Sequence, residues 1–349
     1  MLAVAAMFSL ALSSCTPKKE YIVISGFAQG GTYTVKLNLI GPQGRVEPSA
    51  EEIRDSIDAV LGRIDRSLSG YNKGSILSRL NAGETVVPDS IFRDMYAVSH
   101  NIYVQTEGVV DVASAPVFDI WGFGFSKGEF PSQEKVDSAK AVSGMGRLVA
   151  RITDAAPVGT PVSASSLVLE GEAPPELNFN AVAQGYSCDL IASYLYSIGV
   201  KDMLVDIGEF FCDGLNPSGK PWTIGIDRPI DGNNQRGAHL QGIFRAPEGP
   251  HGIVTSGNYR KFYVKNGKKY AHSIDPRSGL PVNHSLLSAT VVACDATTAD
   301  AYATWCMVVG TDEARRFLEQ TEGFEGCLIY DDEGVTRTWC SSGFVLEEI

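Results

Sequence analysis

The sequence predicts an α+β fold, because segments that alternate as strands are scattered among segments of helical period without a regular β–α beat. The 349 residues are 44% hydrophobic, enough to bury a large core in one big domain or two moderate ones. The chain carries no internal repeat and no low-complexity segment.

Tyr21 to Leu39 alternates as two strands, interrupted at Gly26-Phe27-Ala28-Gln29-Gly30-Gly31, where glycine lets backbone approach a ligand. Ser49 to Leu68 has the helical period, with Ile53, Ile57, Val60, Leu61, Ile64 and Leu68 on one side and a Ser49/Glu52 capping box. Ser75 to Asn81 forms a short helix, and Asp89 to Thr106 a longer one with Ile91, Met95, Val98, Ile102 and Val104 as its apolar side. Val109 to Gly124 runs through Pro116 into a Trp121-Gly122-Phe123-Gly124 turn, and Ser132 to Val142 is helical. Thr153 to Pro175 is rich in Pro, Gly, Ser and Ala and reads as a loop with a short hairpin. Ala181 to Ile198 is a helix and Met203 to Ile207 a buried strand. Further strands are expected at 222–226, 239–244, 252–254, 259–264, 269–272 and 286–294. Helices at 296–309 and 312–321 precede a closing pair of strands at 326–331 and 334–340.

A formal net charge of −12 excludes a nucleic-acid partner, since no basic surface is available for a phosphate backbone. It leaves room for a phosphate ligand, because one cation and a few backbone N–H groups can hold a diphosphate locally. Met1 to Leu12 is almost wholly apolar and leads into Leu12-Ser13-Ser14-Cys15, which resembles a bacterial lipoprotein signal. The apolar stretch is too short to span a bilayer. Residues 1–14 are therefore expected to be a signal peptide, Cys15 the lipidated N-terminus and residues 15–20 a tether, in an exported bacterial protein held at a membrane. Cys188, Cys212, Cys294, Cys306, Cys327 and Cys340 contain no Cys-x-x-Cys pair and no zinc pattern, and are expected to be mostly buried thiols. Spacing leaves open whether Cys327 and Cys340 join across neighbouring strands.

Residues 251–304 concentrate the chemistry. Thr255-Ser256-Gly257 is a hydroxyl-rich turn, and His272 stands before an Asp275-Pro276 and Ser278-Gly279 corner that fixes its position. An imidazole there could be a general base or a structural histidine. Asp300 and Thr304 lie four residues apart in a helix and share one face. Their hard oxygen atoms, with no Cys or second His nearby, favour Mg²⁺ over zinc; the other reading of Asp300 is an acid that answers the helix dipole. Upstream, Asn178 to Tyr186 opens a helix with small residues at Ala181, Ala183 and Gly185, a place for an anion at free N–H groups or simple capping by Asn178 or Asn180. Asp206-Ile207-Gly208-Glu209 ends a buried strand, and Trp222 reads as a core ring.

In this order the motifs resemble the FAD:protein FMN transferase family, also called the ApbE family. The resemblance rests on Ala28 to Tyr33, Leu68-Ser69-Gly70-Tyr71 with Ser75 and Asn81, Asp111 through Gly124, Asn178 through Gly185, Asp206-Ile207-Gly208, Thr255 through Pro281, and Ala299 through Thr304. It implies one large transferase domain over 21–349, an ApbE/T-fold-like mixed and largely antiparallel sheet with packed helices. It further implies FAD as substrate in an extended groove, Mg²⁺ on its pyrophosphate, and passage of FMN to a Ser or Thr hydroxyl of an acceptor protein with release of AMP. The implied metal ligands are Asp300, Thr304 and the backbone oxygen of Ala181; Mn²⁺ accepts similar oxygens. Flavin or nucleotide contacts would fall on Gln29, Tyr71, Val109, Val110, Asp111, Asn178, Gln184 and Ile274, with Thr255, Ser256 and Gly257 close to the phosphates and His272 as the base. The implied acceptor is a flavin-carrying subunit of a membrane electron-transport complex, facing the periplasm, with the inner membrane the expected site. The chain departs from the family pattern at Gln29-Gly30-Gly31, where Met commonly precedes Gly-Thr, at Gln184, where Lys or Glu is frequent, and at Gly208-Glu209, where two glycines are frequent. Two rival readings are an FAD pyrophosphatase giving FMN and AMP, and a lipoprotein that binds FAD without turnover.

Overall fold

The first strand pair shows how local chemistry sets the architecture of this computed structural model, which describes residues 19–84, 86–124, 130–148, 176–230, 233, 237–259, 262–265, 268–271 and 273–349. β1 (Tyr21–Ala28) and β2 (Gly31–Asn38) pair antiparallel and are joined by Gln29-Gly30, both at positive φ (51° and 79°). That is the backbone a tight two-residue hairpin demands. The break expected over Gly26 to Gly31 thus narrows to Gln29-Gly30: Gly26 and Phe27 lie inside β1, and the tyrosine ring of Tyr33 fills the space where a Gly26 side chain would be, 2.5 Å from the ideal Cβ.

β3 (Ile40–Gly41) and β4 (Gly44–Arg45) make a small hairpin, followed by α1 (Ala50–Leu68), α2 (Ile76–Asn81), α3 (Ser90–Gln105), α4 (Ala115–Ile120) and α5 (Gln133–Val142). The capping box of α1 forms as expected, with Ser49 Oγ accepting from Glu52 N–H and Glu52 returning to Ser49 N–H. Val104 departs from the expected apolar side of α3: it is 58% exposed, one residue from the helix end. The expected loop at 153–175 lies outside the described residues.

The second half supplies α6 (Ala183–Ser197), β5 (Met203–Asp206), β6 (Phe210–Asp213), β7 (Thr223–Asp227), β8 (Leu240–Arg245) and β9 (His251–Gly257). The short pairs β10 (Phe262–Lys265) with β11 (Lys268–Ala271) and β12 (Ile274–Asp275) with β13 (Leu280–Pro281) follow. The chain closes with β14 (Leu286–Ala293), α7 (Ala296–Val309), α8 (Thr311–Gln320), β15 (Glu325–Asp332), β16 (Val335–Cys340) and β17 (Leu346–Glu347). β6 and β17 were not expected. Phe210-Phe211-Cys212-Asp213 is too short to display an alternation, and β17 is two residues long.

The main sheet has eight strands in the order β1-β2-β5-β6-β9-β14-β15-β16, and each of its pairings is antiparallel. Period-two alternation divides its side chains between two cores. Val205, Val254, Val291 and Leu328 face the larger core, which they share with α1, α6 and α7. Their neighbours Leu204, Ile253, Val292 and Ile329 face a smaller core, closed by Trp222, Ile224 and Phe244 of the three-stranded sheet β17-β8-β7. Trp222 is the core ring expected of it, 4% exposed, with Nε1 donating to the Asp213 carbonyl at 2.9 Å. No helix among the described residues is long and apolar enough to cross a membrane.

Candidate active site

The site is built where α6 begins against α7. Asn178 Oδ1 accepts from Asn180 N–H at 2.9 Å, turning the chain before the helix, and Asn178 N–H donates to the Val112 carbonyl at 2.7 Å. The helix starts at Ala183 rather than at the expected Ala181, because the Gly185 N–H leaves the helical ladder to donate to Asp300 Oδ2 at 3.0 Å. The Ala181 carbonyl therefore stands outside the helix, at its mouth. Only glycine fits at 185, since an added Cβ would sit 2.2 Å from the Ala296 carbonyl oxygen and 2.9 Å from Asp300 Cβ.

α7 is fixed in place from its own start. Asp189, one turn beyond Gly185 on the same face of α6, accepts from Ala296 N–H and Thr297 N–H, both at 2.8 Å, and from Thr297 Oγ1 at 2.5 Å. Asp295 adds the N-cap bond to Thr298 N–H at 2.6 Å. Midway along it, stacked Tyr302 and Phe317 rings (4.9 Å between centroids) lock α7 to α8. Asp300 and Thr304 are held on one face of this braced helix, Asp300 buried (5% exposed) and Thr304 half-buried.

The turn between β5 and β6 closes the other side. Gly208 takes φ 108°, and its N–H donates to Asp206 Oδ1 at 3.0 Å. Gln184 Nε2 donates to the Ile207 carbonyl at 3.1 Å, and Cys188 Sγ to the Glu209 carbonyl at 3.2 Å. Glu209 Oε2 accepts from Thr255 N–H at 3.3 Å, and Thr255 and Thr290 share a hydroxyl hydrogen bond of 2.9 Å. From the first hairpin, Gln29 Nε2 reaches Ser187 Oγ at 2.5 Å. Gln29, Ala181, Gln184, Thr255 and Asp300 are thus gathered around the start of α6, with Thr304 one turn along α7 from Asp300.

Charge in this cluster is unbalanced. Burial drives the Asp300 carboxyl well above the usual carboxylate range, the negative charge of Glu209 adds to the rise, and the Gly185 N–H opposes it. Burial likewise pushes Asp189 up to about 6, against the three donors it accepts. Among the described residues no Lys or Arg forms an ion pair with Asp300, and no three His, Cys, Asp or Glu side chains form a metal cluster. A cation here would be held by one carboxylate with a hydroxyl and a backbone carbonyl, a hard-oxygen set that fits Mg²⁺. A buried acid raised by a neighbouring acid is the environment that a divalent cation relieves.

A second group of expected contacts adjoins this one through the Asn178–Val112 hydrogen bond. Val109 and Val110 are buried side chains whose N–H groups already donate to Thr106, at 3.0 and 3.2 Å, which leaves their carbonyls for any ligand. Asp111 accepts from Ala113 N–H at 2.8 Å and from Met145 N–H at 3.1 Å, and burial raises it above the usual carboxylate range. Ser256 and Gly257 follow Thr255 to the end of β9, and the Tyr259 ring occupies the place of a Gly257 side chain. Tyr71 lies in the loop after α1, 70% exposed, with its N–H on Ser69 Oγ at 3.3 Å. Ile274 packs in a separate small core with Val117 and Trp121. His272 lies outside the described residues, as do Cys15 and the expected signal peptide. Ser187 and Asp189 were not singled out from sequence, and Glu209 stood there only as the end of the Asp206 motif and a departure from the family pattern. The four-residue spacing of Gly185 and Asp189 was a readable signal for the second, whereas Ser187 and Glu209 acquire their roles only when β1–β2 and β9 pack against α6.

The fold defined by this sheet is that of the solved flavin transferases. The structure of flavin transferase ApbE from Vibrio cholerae superposes with a TM-score of 0.73 at 28% identity, covering 93% of this chain and 98% of that one. The apo flavinyl transferase ApbE of Pseudomonas stutzeri gives 0.73 at 28% identity, over 93% and 95% of the two chains. The family model described as the ApbE family matches residues 30–328, and the chain belongs to that family. Among curated relatives, the FAD:protein FMN transferase of Escherichia coli K12 is 32% identical over 303 residues, 84% of this chain and 81% of the relative. The protein of the same name from Haemophilus influenzae is 30% identical over 351 residues, 98% and 95% of the two chains.

Proposed function

We propose that this protein is an FAD:protein FMN transferase that moves FMN from FAD to a Thr or Ser hydroxyl of an acceptor protein and releases AMP. The observation that carries the reading is the buried Asp300, seated on the Gly185 N–H where α6 opens and facing a negative neighbour, in a chain of the ApbE family. The acceptor oxygen forms a bond to the flavin-side phosphorus, the phosphoanhydride bond breaks, and AMP leaves with the bridging oxygen. His272 takes the hydroxyl proton. Mg²⁺, or Mn²⁺ in its place, would be held by Asp300, Thr304 and the Ala181 carbonyl and would neutralise charge on the diphosphate. The protein's own part is positioning: Thr255 to Gly257 lie along the phosphates, Gln29 and Gln184 contact the nucleotide through amide groups, and Tyr71 stacks on a flat ring.

The same reading makes the chain an exported lipoprotein, cleaved after residue 14, anchored through Cys15 to the inner membrane and facing the periplasm. Its acceptor is a flavin-carrying subunit of a membrane electron-transport complex. Support for these points comes from the N-terminal sequence and the family. Incubation with FAD, Mg²⁺ and a purified candidate acceptor tests the function. Covalently yellow acceptor with one AMP per flavin supports transfer. Free FMN with AMP and no labelled acceptor indicates a pyrophosphatase, and intact FAD indicates a binding protein; either result refutes the proposal.

A further inference from the structure

Cys327 and Cys340 face each other in the β15–β16 hairpin as directly opposed residues of the ladder. The hairpin turns through Glu333-Gly334, both at positive φ (52° and 86°), so the closing pair Asp332/Val335 is a hydrogen-bonded one. At the other end Ser341 N–H donates to the Gly326 carbonyl at 2.9 Å, in the same register. Alternation from either end makes Cys327/Cys340 a non-hydrogen-bonded pair, whose Cα atoms stand about 4.5 Å apart. That spacing lies within the span a disulfide bridges. The two side chains share the small core between the sheets, and their thiols are hydrogen-bonded to each other.

Their exposures differ in a useful way. Cys327 is buried, whereas Cys340 is half-buried on the edge strand β16. The hydrogen bond from Cys327 holds the Cys340 thiol below its ordinary range, and the same bond, with burial, raises Cys327. Cys340 is therefore the accessible nucleophile and Cys327 the resolving thiol.

We propose that Cys327 and Cys340 form a redox-responsive modification site, closing to a cross-strand disulfide when a disulfide oxidant reaches Cys340 at the sheet edge. Cys340 thiolate attacks one sulfur of the oxidant, forming a mixed disulfide and releasing the first oxidant thiol. Cys327 thiolate then attacks Cys340 Sγ and expels the second. The protein pair loses two electrons and two protons, and the oxidant is reduced to two thiols. The new bond ties the edge strand β16 to β15 just before the chain leaves for β17 and the smaller sheet. It lies in the core on the opposite face of the main sheet from Asp300.

The test exposes the full chain to oxidised glutathione, then unfolds it, alkylates the remaining thiols and maps peptides by mass spectrometry. The expected result is loss of both alkylation sites, a 327–340 peptide pair lighter by two hydrogens, and an upward shift of the unfolding midpoint. In Cys327→Ser, a glutathione adduct should persist on Cys340; in Cys340→Ser, Cys327 should remain alkylatable and the midpoint unshifted. The exposed Cys294 serves as the internal control for oxidant reactivity. If Cys294 is modified while Cys327 and Cys340 both remain free, or if either is found bridged to another cysteine, the proposal is overturned.

Discussion

At the scale of single residues, the cluster acids Asp189 and Asp300 do different work. Asp189 organises the start of α7, yet burial holds its folded-state pKa at about 6, above the ordinary 3.8. A group raised in this way favours the folded state when protonated. Its contribution is therefore fully present below about pH 4 and is lost as the pH rises through 6, a change of about 3 kcal/mol. Asp189→Asn should remove that slope, so that the stability difference between variant and parent, followed by denaturant unfolding from pH 4 to pH 7, moves in favour of the variant as the pH rises. A difference independent of pH would contradict the assignment. His272 carries the proton in the proposed chemistry, and His272→Ala should slow acceptor labelling by about 10²–10⁴-fold while changing FAD affinity far less. Equal loss of both would remove its role as base. The sequence spacing of Asp300 and Thr304 was enough to place them on one helix face, because α7 is regular there. Glu209 was different, since its effect on Asp300 arises from the packing of a turn between β5 and β6 against α7 and has no local signature.

At the scale of elements, the site depends on how closely α6 can approach α7. Gly185 allows the contact, and its N–H is what Asp300 grips. Gly185→Ala places a methyl group 2.2 Å from a backbone oxygen that cannot move alone. Overpacking of this kind costs about 1–3 kcal/mol, and a thermal melt should record a drop of several degrees; an unchanged midpoint would mean the helices are not in close contact. Most of the long elements were legible in the sequence because they carry a full period of apolar residues: Ile53, Ile57, Val60, Leu61, Ile64 and Leu68 of α1 are all buried, as the pattern required. What sequence misplaced was short or set from outside. The bend expected over the six residues Gly26 to Gly31 contracts to Gln29-Gly30, since the choice among neighbouring glycines is made by pairing with β2. The start of α6 is set by Asp300, more than a hundred residues away.

At the scale of the whole molecule, one antiparallel sheet separates two cores with separate duties. The helical side carries α6 and α7 with Gln184 and Asp300, and the other side seals the sheet with β17-β8-β7 and contains the Cys327/Cys340 pair. The α+β class and the family were both readable from motif order, whereas the strand order was not, because β1, β2 and β5 come together across about 160 residues of intervening chain, a long-range pairing without local signal. The account as a whole turns on Asp300 as the anchor of a cation that grips the FAD diphosphate. The most direct measurement compares the parent with Asp300→Asn, which keeps an acceptor for the Gly185 N–H, and follows Mg²⁺-dependent AMP release together with acceptor-bound flavin. Loss of this carboxylate should lower both by more than about 100-fold, exceeding what removal of a group merely supporting a ligand costs, with the unfolding midpoint preserved. A folded Asp300→Asn protein that releases AMP and labels its acceptor at the parent rate would contradict it.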